Sequence, residues 1–460
     1  MTRTTGNAPR RIGGTAVVVG ASMAGLCAAR VAAERFDRVV VLDLDPLPAT
    51  AVPRPHVPQD RQPHLLLVAG ARLLEGWFPG LVAELLAAGA VDIDLCADVL
   101  WHQGGGVARR PESDLHSPAM TRPLLERAVR RRVARRADVD LRDEAAVVGL
   151  TTDPSGRRVT GVRLRDGGTL AADLVVDATG RAARSLDWLG RLGYPPPRTS
   201  EVRVDTRYVS RAYRRTASPD RDWRAAVVVD APATRRLAVA LPIEDDRWLV
   251  GFAGLGGESP PLGEDERLAY ARSLPSPVIA DLMAGAEPLG EPLTHRFPVN
   301  QRRHVERMRH FPLGWVLLGD AVCSFDPVYG QGMTSAALQA QALGRCLDRT
   351  GAVDRVFARR YFAAAGRAVG VPWSIAVGGD FDYPDTRGPK PRGTDLLNRY
   401  MARAIVTAQD DDAVALRLNE VLALVRRPEW LFSPAFVLRV LLRARRPADV
   451  APARQDVRQA

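Results

Sequence analysis

The stretch VVVGASMAGLCAARVAAERFDRVVVLD, residues 17–43, restricts the fold more than any other part of the chain. Val17, Val18 and Val19 are β-branched and apolar, as in a parallel strand covered on both faces, and a small-residue helix follows the turn at Gly20. A second apolar run at 39–42 completes a strand–helix–strand unit, which needs a sheet with helices packed on it. The N-terminus of such a helix offers unpaired N–H groups and the positive end of its dipole to an anion, so a dinucleotide pyrophosphate suits it. Gly20, Ala21, Ser22, Met23, Ala24 and Gly25 make the turn. Gly20 permits its tightness, Gly25 lets helix and strand approach, and Ser22 stands where the usual GxGxxG pattern has its middle glycine. Asp43 follows the second run, 23 residues beyond Gly20, where an acid accepts hydrogen bonds from a ribose 2′-hydroxyl and disfavours a 2′-phosphate.

A second stretch, GWVLLGDAVCSFDPVYGQGMTSAALQA at 314–340, adds a short apolar strand, a glycine for close approach and Asp320 at the strand end. A buried carboxylate without a partner is costly, so Asp320 should accept hydrogen bonds from something hydroxylated. The N–H groups of Gly330, Gln331, Gly332 and Met333 would point one way at a helix start, ready for negative charge. The two stretches together resemble the class A flavoprotein monooxygenases, the family of para-hydroxybenzoate hydroxylase. That resemblance implies tightly bound, non-covalent FAD, with Asp320 on the ribitol chain, Pro327 against the flavin, and Gly330 to Met333 at its pyrimidine ring. It also implies Arg122, in TRPLLERAVRRRV, near the phosphates, and Val147 offering its backbone to the adenine. In DATGRAARS, after the apolar run 174–176, Thr179 stands beside Gly180 where the family has the aspartate of a DG pair touching both cofactors. The implied chemistry uses NAD(P)H as a transient reductant and O2 as co-substrate, giving a flavin C4a-hydroperoxide that donates oxygen. GGG at 104–106 and GLGG at 254–257 lack the strand, helix and acid of a second dinucleotide site.

Flavin-dependent halogenases of this fold need an early lysine and usually carry WxWxIP. Here the single lysine is Lys390 and no paired tryptophans occur. VPRPHVPQDRQPHLLL, DATGR and RFPVNQRRH instead resemble bacterial polyketide-tailoring monooxygenases, especially epoxidases of polyether antibiotic pathways. The resemblance implies epoxidation of a large apolar polyene, free or carrier-bound. An alkene needs no general base, because its π electrons attack the electrophilic oxygen, whereas a phenol benefits from one. Arg54, Gln59 and His64 are the catalytic candidates that could lie over the flavin. The rival readings are an aromatic polyketide hydroxylase, an isoprenoid double-bond reductase on the same fold, and an FAD-binding protein without catalysis.

The net charge of +11 has the sign of a nucleic-acid partner, but arginine carries nearly all of it, spread along the chain without interleaved aromatics, so no nucleic-acid role is expected. General attraction of anionic ligands remains in view. Cys27, Cys96, Cys323 and Cys346 have no metal-like spacing and fall on apparent helices or apolar strands, as buried free thiols of a reducing cytoplasm would. The histidines form no HExxH-type cluster, so no metal is expected. No apolar run reaches membrane-spanning length and the first dozen residues do not read as a signal peptide, so the expected location is cytoplasmic, as a monomer or homodimer. The expected fold class is α/β, α+β overall. A discontinuous Rossmann-like FAD-binding domain would comprise 1–75, 100–185 and 295–350. An antiparallel substrate domain would take 76–99 and 186–294, and a helical region 351–460. Alternating patterns such as VRVDTRYVSRAYRR supply that antiparallel sheet, and RPEWLFSPAFVLRVLLRARRP at 427–447 ends the pattern as a basic amphipathic segment.

Overall fold

The computed structural model describes residues 11–181, 183–216, 221–230 and 232–443. Its centre is a five-stranded, all-parallel sheet in the order Trp315–Leu317, Leu174–Asp177, Gly13–Val19, Phe36–Leu42, Val139–Arg142. The valine-rich runs sit where both faces are covered, and Val17, Val18, Val39, Val41, Val175, Val176 and Val316 are fully buried. Helices Met23–Ala32, Arg122–Ala134 and Gly332–Thr350 flank this sheet, and their apolar sides share one core with it. Asp354 begins the next helix, Arg355–Ala368, by accepting from the Phe357 N–H at 2.8 Å.

An eight-stranded sheet stands beside it in the order Cys323–Ser324, Pro288–Arg303, Thr199–Arg214, Arg247–Gly254, Arg236–Ile243, Ala225–Asp230, Val99–Gln103, Gly106–Val107. All its pairings are antiparallel except that of Ala225–Asp230 with Val99–Gln103. The alternating sequence thus becomes the long strand Thr199–Arg214, whose Val202, Val204 and Tyr208 gather with Phe297 of the neighbouring strand. Helices Glu264–Arg272 and Val278–Ala284 pack Tyr270, Ile279 and Met283 against Trp248 and Phe252 in a separate core. Strand Pro288–Arg303 is continuous across position 294. The segment 76–99 is divided: Phe78, Leu81 and Leu85 join the core of the parallel sheet, and Val99 opens a strand of the large one. A small antiparallel sheet, Thr169–Ala171, Val159–Leu164 and Val147–Thr152, covers one flank.

All four cysteines are buried and unpaired. Cys96 corrects the sequence reading: it lies in the turn between strands Val91–Asp94 and Val99–Gln103, not in a helix or strand. Helix Pro434–Arg443 turns Phe436 and Val440 inward and leaves Leu438, Leu441 and Leu442 exposed, while residues 444–447 of that basic segment, like residues 1–10, lie outside the described residues. No helix among the described residues is long and apolar enough to cross a membrane.

Candidate functional site

Four adjacent parallel strands end at the same edge. The register puts Val19, Leu42, Asp177 and Leu317 level, so Gly20, Asp43, residues 178–180 and Asp320 emerge side by side where strand order reverses, the place at which ligands of such sheets gather. Gly20 has φ 103°, and a Cβ there would come within 2.6 Å of the Ala178 carbonyl oxygen. A Cβ on Gly25 would overlap the Gly20 carbonyl, so these two glycines close the turn onto the helix. Gly319, at φ 71°, would set a Cβ 2.8 Å from that of Ala24, which shows how tightly the Asp320 turn rests on the same helix.

Ser22 is the N-cap of helix Met23–Ala32, but its hydroxyl donates to Glu126 Oε2 (2.8 Å) rather than capping, and the first turn holds no acid. Helix Gly332–Thr350 likewise begins without a side-chain cap or an acid. Both helix starts therefore keep their positive ends for an external anion or a polar ring edge. Beside the first, Arg122 donates to Ser22 Oγ (2.7 Å) and pairs with Asp60 (3.0 Å). Asp43 accepts from the Ala21 N–H (2.5 Å) and the Asp45 N–H (2.9 Å), and pairs with Arg54 (3.1 Å). Arg54 also meets Glu126 at 2.9 Å, so this candidate is buried among the acids around Asp43. Val147 begins a strand just after residues 144–145, whose N–H groups bond the Asp45 and Asp43 carbonyls at 3.3 and 2.7 Å.

Asp320 differs from these paired acids. Its carboxylate has no hydrogen bond or ion pair with the described residues, although burial pushes its pKa above the usual carboxylate range against the pull of Arg122, Arg181 and Arg303. Gln331 Oε1 and Thr334 Oγ1, at the start of the second helix, are fully buried and have no partner. Pro327 and Gly332 are exposed, Gly330 turns with φ 65°, and a Cβ on Gly330 or Gly332 would meet nothing within 4 Å. Met333 points into the core. These features fit FAD: two uncapped helix starts for its charge and an unpartnered acid for its hydroxyls, with open glycine backbone beside them.

Gln59 lies in the short turn Pro58–Arg61 and His64 a few residues on. The His64 Nδ1–H donates to the Gln62 carbonyl (2.8 Å), and burial together with Arg122 and His295 holds the imidazole down to about 3, so it is neutral with Nε2 as acceptor. His295, on the large sheet, is lowered by burial and by Arg181. Three residues escaped the sequence reading. Arg303 donates to the Ala321 carbonyl (2.9 Å) and the Arg181 carbonyl (3.2 Å), pinning the Asp320 turn to the DATGR loop. Asp177 holds that loop through the Thr179 N–H (3.1 Å) and hydroxyl (2.6 Å). Arg181 lies over Phe297, 4.7 Å from its centroid. Only the arginine-rich RFPVNQRRH run hinted at Arg303.

No family model matches the chain. It is 36% identical over 424 residues to protein Rv3254 of Mycobacterium tuberculosis, covering 87% of each chain. Its fold is similar to that of PqsL from Pseudomonas aeruginosa, described as a probable FAD-dependent monooxygenase, with TM-score 0.59, 19% identity, and coverage of 80% of this chain and 97% of that one. It is also similar to the flavin-dependent brominase Bmp2, with TM-score 0.63, 15% identity, and coverage of 89% and 93%.

Proposed function

The chain belongs to the family of the mycobacterial protein Rv3254 and has the fold of FAD-dependent monooxygenases, and from these premises we propose that it is an FAD- and NAD(P)H-dependent oxygenase that epoxidises a large apolar polyene. The observation that carries the flavin reading is Asp320, a half-buried carboxylate left without a protein partner beside the uncapped start of helix Met23–Ala32. Bound there, FAD would supply a two-electron store and an oxygen-activating ring, chemistry that amino-acid side chains lack. The chain's own part is to hold, orient and shield. Asp320 would accept from the ribitol, and Asp43, already oriented by two N–H donors, would accept from the ribose. The helix start with Arg122 would face the phosphates. The N–H groups at Gly332 and Met333 would stabilise negative charge on the ring, as an oxyanion hole does.

Oxygen transfer is favoured over halogenation by the placing of the single lysine: the Lys390 ammonium bonds the Asp395 carboxylate and lies over Phe381. Epoxidation rests on the three polyether-type sequence matches. Hydroxylation of an aromatic ring is the second reading, favoured by the neutral imidazole of His64, whose fixed tautomer presents Nε2 as a hydrogen-bond acceptor that could orient a phenol hydroxyl. The test is mass spectrometry of products formed under 18O2 with NADPH, using a conjugated polyene in one arm and a polycyclic phenol in the other. Label in the polyene product supports epoxidation, label only in the phenol supports the second reading, and hydrogen gain without label in either arm contradicts both.

A further inference from the structure

Behind the 327–332 turn lies a buried polar cluster that the flavin reading does not use. Asp326, fully buried, accepts from the hydroxyls of Thr206 and Tyr208 and from the Val328 N–H at 3.1 Å, so it caps the turn as an ionised acid would. Its own N–H donates to Asn300 Oδ1 (2.7 Å), and Asn300 Nδ2 donates to Asp380 Oδ2 (2.6 Å). Asp380 Oδ1 lies 3.2 Å from the Tyr329 hydroxyl, and that ring is packed so closely on the helix that Gly379 has no room for a Cβ. Asp380 is the last residue of helix Gly370–Asp380, where the dipole opposes a negative charge. No ion pair links a cation to either carboxylate among the described residues. Arg235 pairs with Asp385, donates to the Gly256 carbonyl and bears on Tyr383, while Asp382 accepts from Asn398 and feels Lys390. Two such acids, both fully buried and joined through one amide, cannot both be ionised cheaply. Asp326 has three donors and Asp380 two, so Asp380 is the one to keep its proton, on Oδ1 and toward Tyr329. Burial and the neighbouring Asp326 both push it well above the usual carboxylate range.

We propose that Asp380 is a positioning residue: as a neutral carboxylic acid it ties the 326–332 turn to the C-terminal helices, and its ionisation releases the turn. The consequence for cofactor affinity rests on the flavin reading above; the protonation itself does not. The raised folded-state pKa makes the tie complete at low pH and weaker as pH rises through that pKa. Difference infrared spectra at neutral pH should show a protonated-carboxyl band that Asp380→Asn removes. FAD titrations by fluorescence quenching should show an alkaline loss of affinity of about tenfold in the wild type, the equivalent of one pKa unit between bound and released turns. That loss should be absent in Asp380→Asn, which keeps a neutral group of the same shape. Tyr329→Phe, which removes a donor to the ionised form, should move the loss to higher pH and keeps the test alive if Asp380→Asn does not fold. An unchanged infrared band in Asp380→Asn, or an unmoved alkaline limb in Tyr329→Phe, overturns the proposal. A band that behaves as expected in a protein that takes up no FAD supports the proposal and counts against the flavin reading alone.

Discussion

Asp60 and His64 sit four residues apart, and burial moves them in opposite senses. Burial pushes Asp60 up to about 6 although Arg122 opposes it. Its folded-state pKa exceeds the unfolded one, so its contribution to stability is full below about pH 4 and is lost as pH rises through about 6. Asp60→Asn abolishes that titration, and urea unfolding at stepped pH should show the variant gaining on the wild type by on the order of 1–3 kcal/mol between those limits. His64 is depressed, so its contribution is full above about 6.5 and lost as pH falls through about 3. His64→Gln should flatten the acid limb of the same curve. The sequence singles out His64 but not Asp60, and the titration of both depends on which distant groups crowd them, Arg122 and Glu126 for Asp60, Arg122 and His295 for His64.

At the scale of single elements, glycines of the two turns divide by what they face. Gly25 is closed in by the backbone of its own turn, and Gly25→Ala should lower unfolding stability by about 3 kcal/mol, measured by denaturant titration, because a carbonyl must move. Gly332 opens a helix with clear space beside it, so Gly332→Ala should leave the melting temperature of the FAD-free protein unchanged while weakening FAD binding at least about tenfold, through a methyl placed where the ring would lie. The strand, turn and helix around each glycine were legible because β-branched runs, small-residue helices and strand-end glycines are local signals. The direction each glycine faces is set by packing between the 17–43 and 314–340 stretches, as at Gly319 on Ala24, and no local pattern reports it.

Across the whole molecule, Arg303 joins what the chain writes far apart. It ends the strand Pro288–Arg303 of the large sheet and bonds the carbonyls of two loops that leave the parallel sheet. Arg303→Met should cost about 2–3 kcal/mol of stability, from two charged hydrogen bonds lost with their carbonyls left buried, and should weaken FAD binding with it. Calorimetry with and without FAD separates the two effects. Asp320 and Asp43 were readable as strand-end acids, and Arg122 as the first residue of a helix. Arg303, Asp177 and the Asn300–Asp380 link were not, since each acts through a partner brought near only by tertiary folding. Arg54 was readable as a polar residue in a loop, but not as the partner of Asp43, because that loop has no periodicity to orient it.

Two strand-end turns build the proposed FAD site, with Asp320 as its unpaired acid. The most direct test is the visible absorbance of the purified protein and of Asp320→Ala after incubation with FAD and desalting. The wild type should show the flavin bands, and Asp320→Ala should lose them by about tenfold or more while melting within a few degrees of it. A wild type that retains no flavin, or an Asp320→Ala that retains it in full, would rule out a flavin held by Asp320 at this edge.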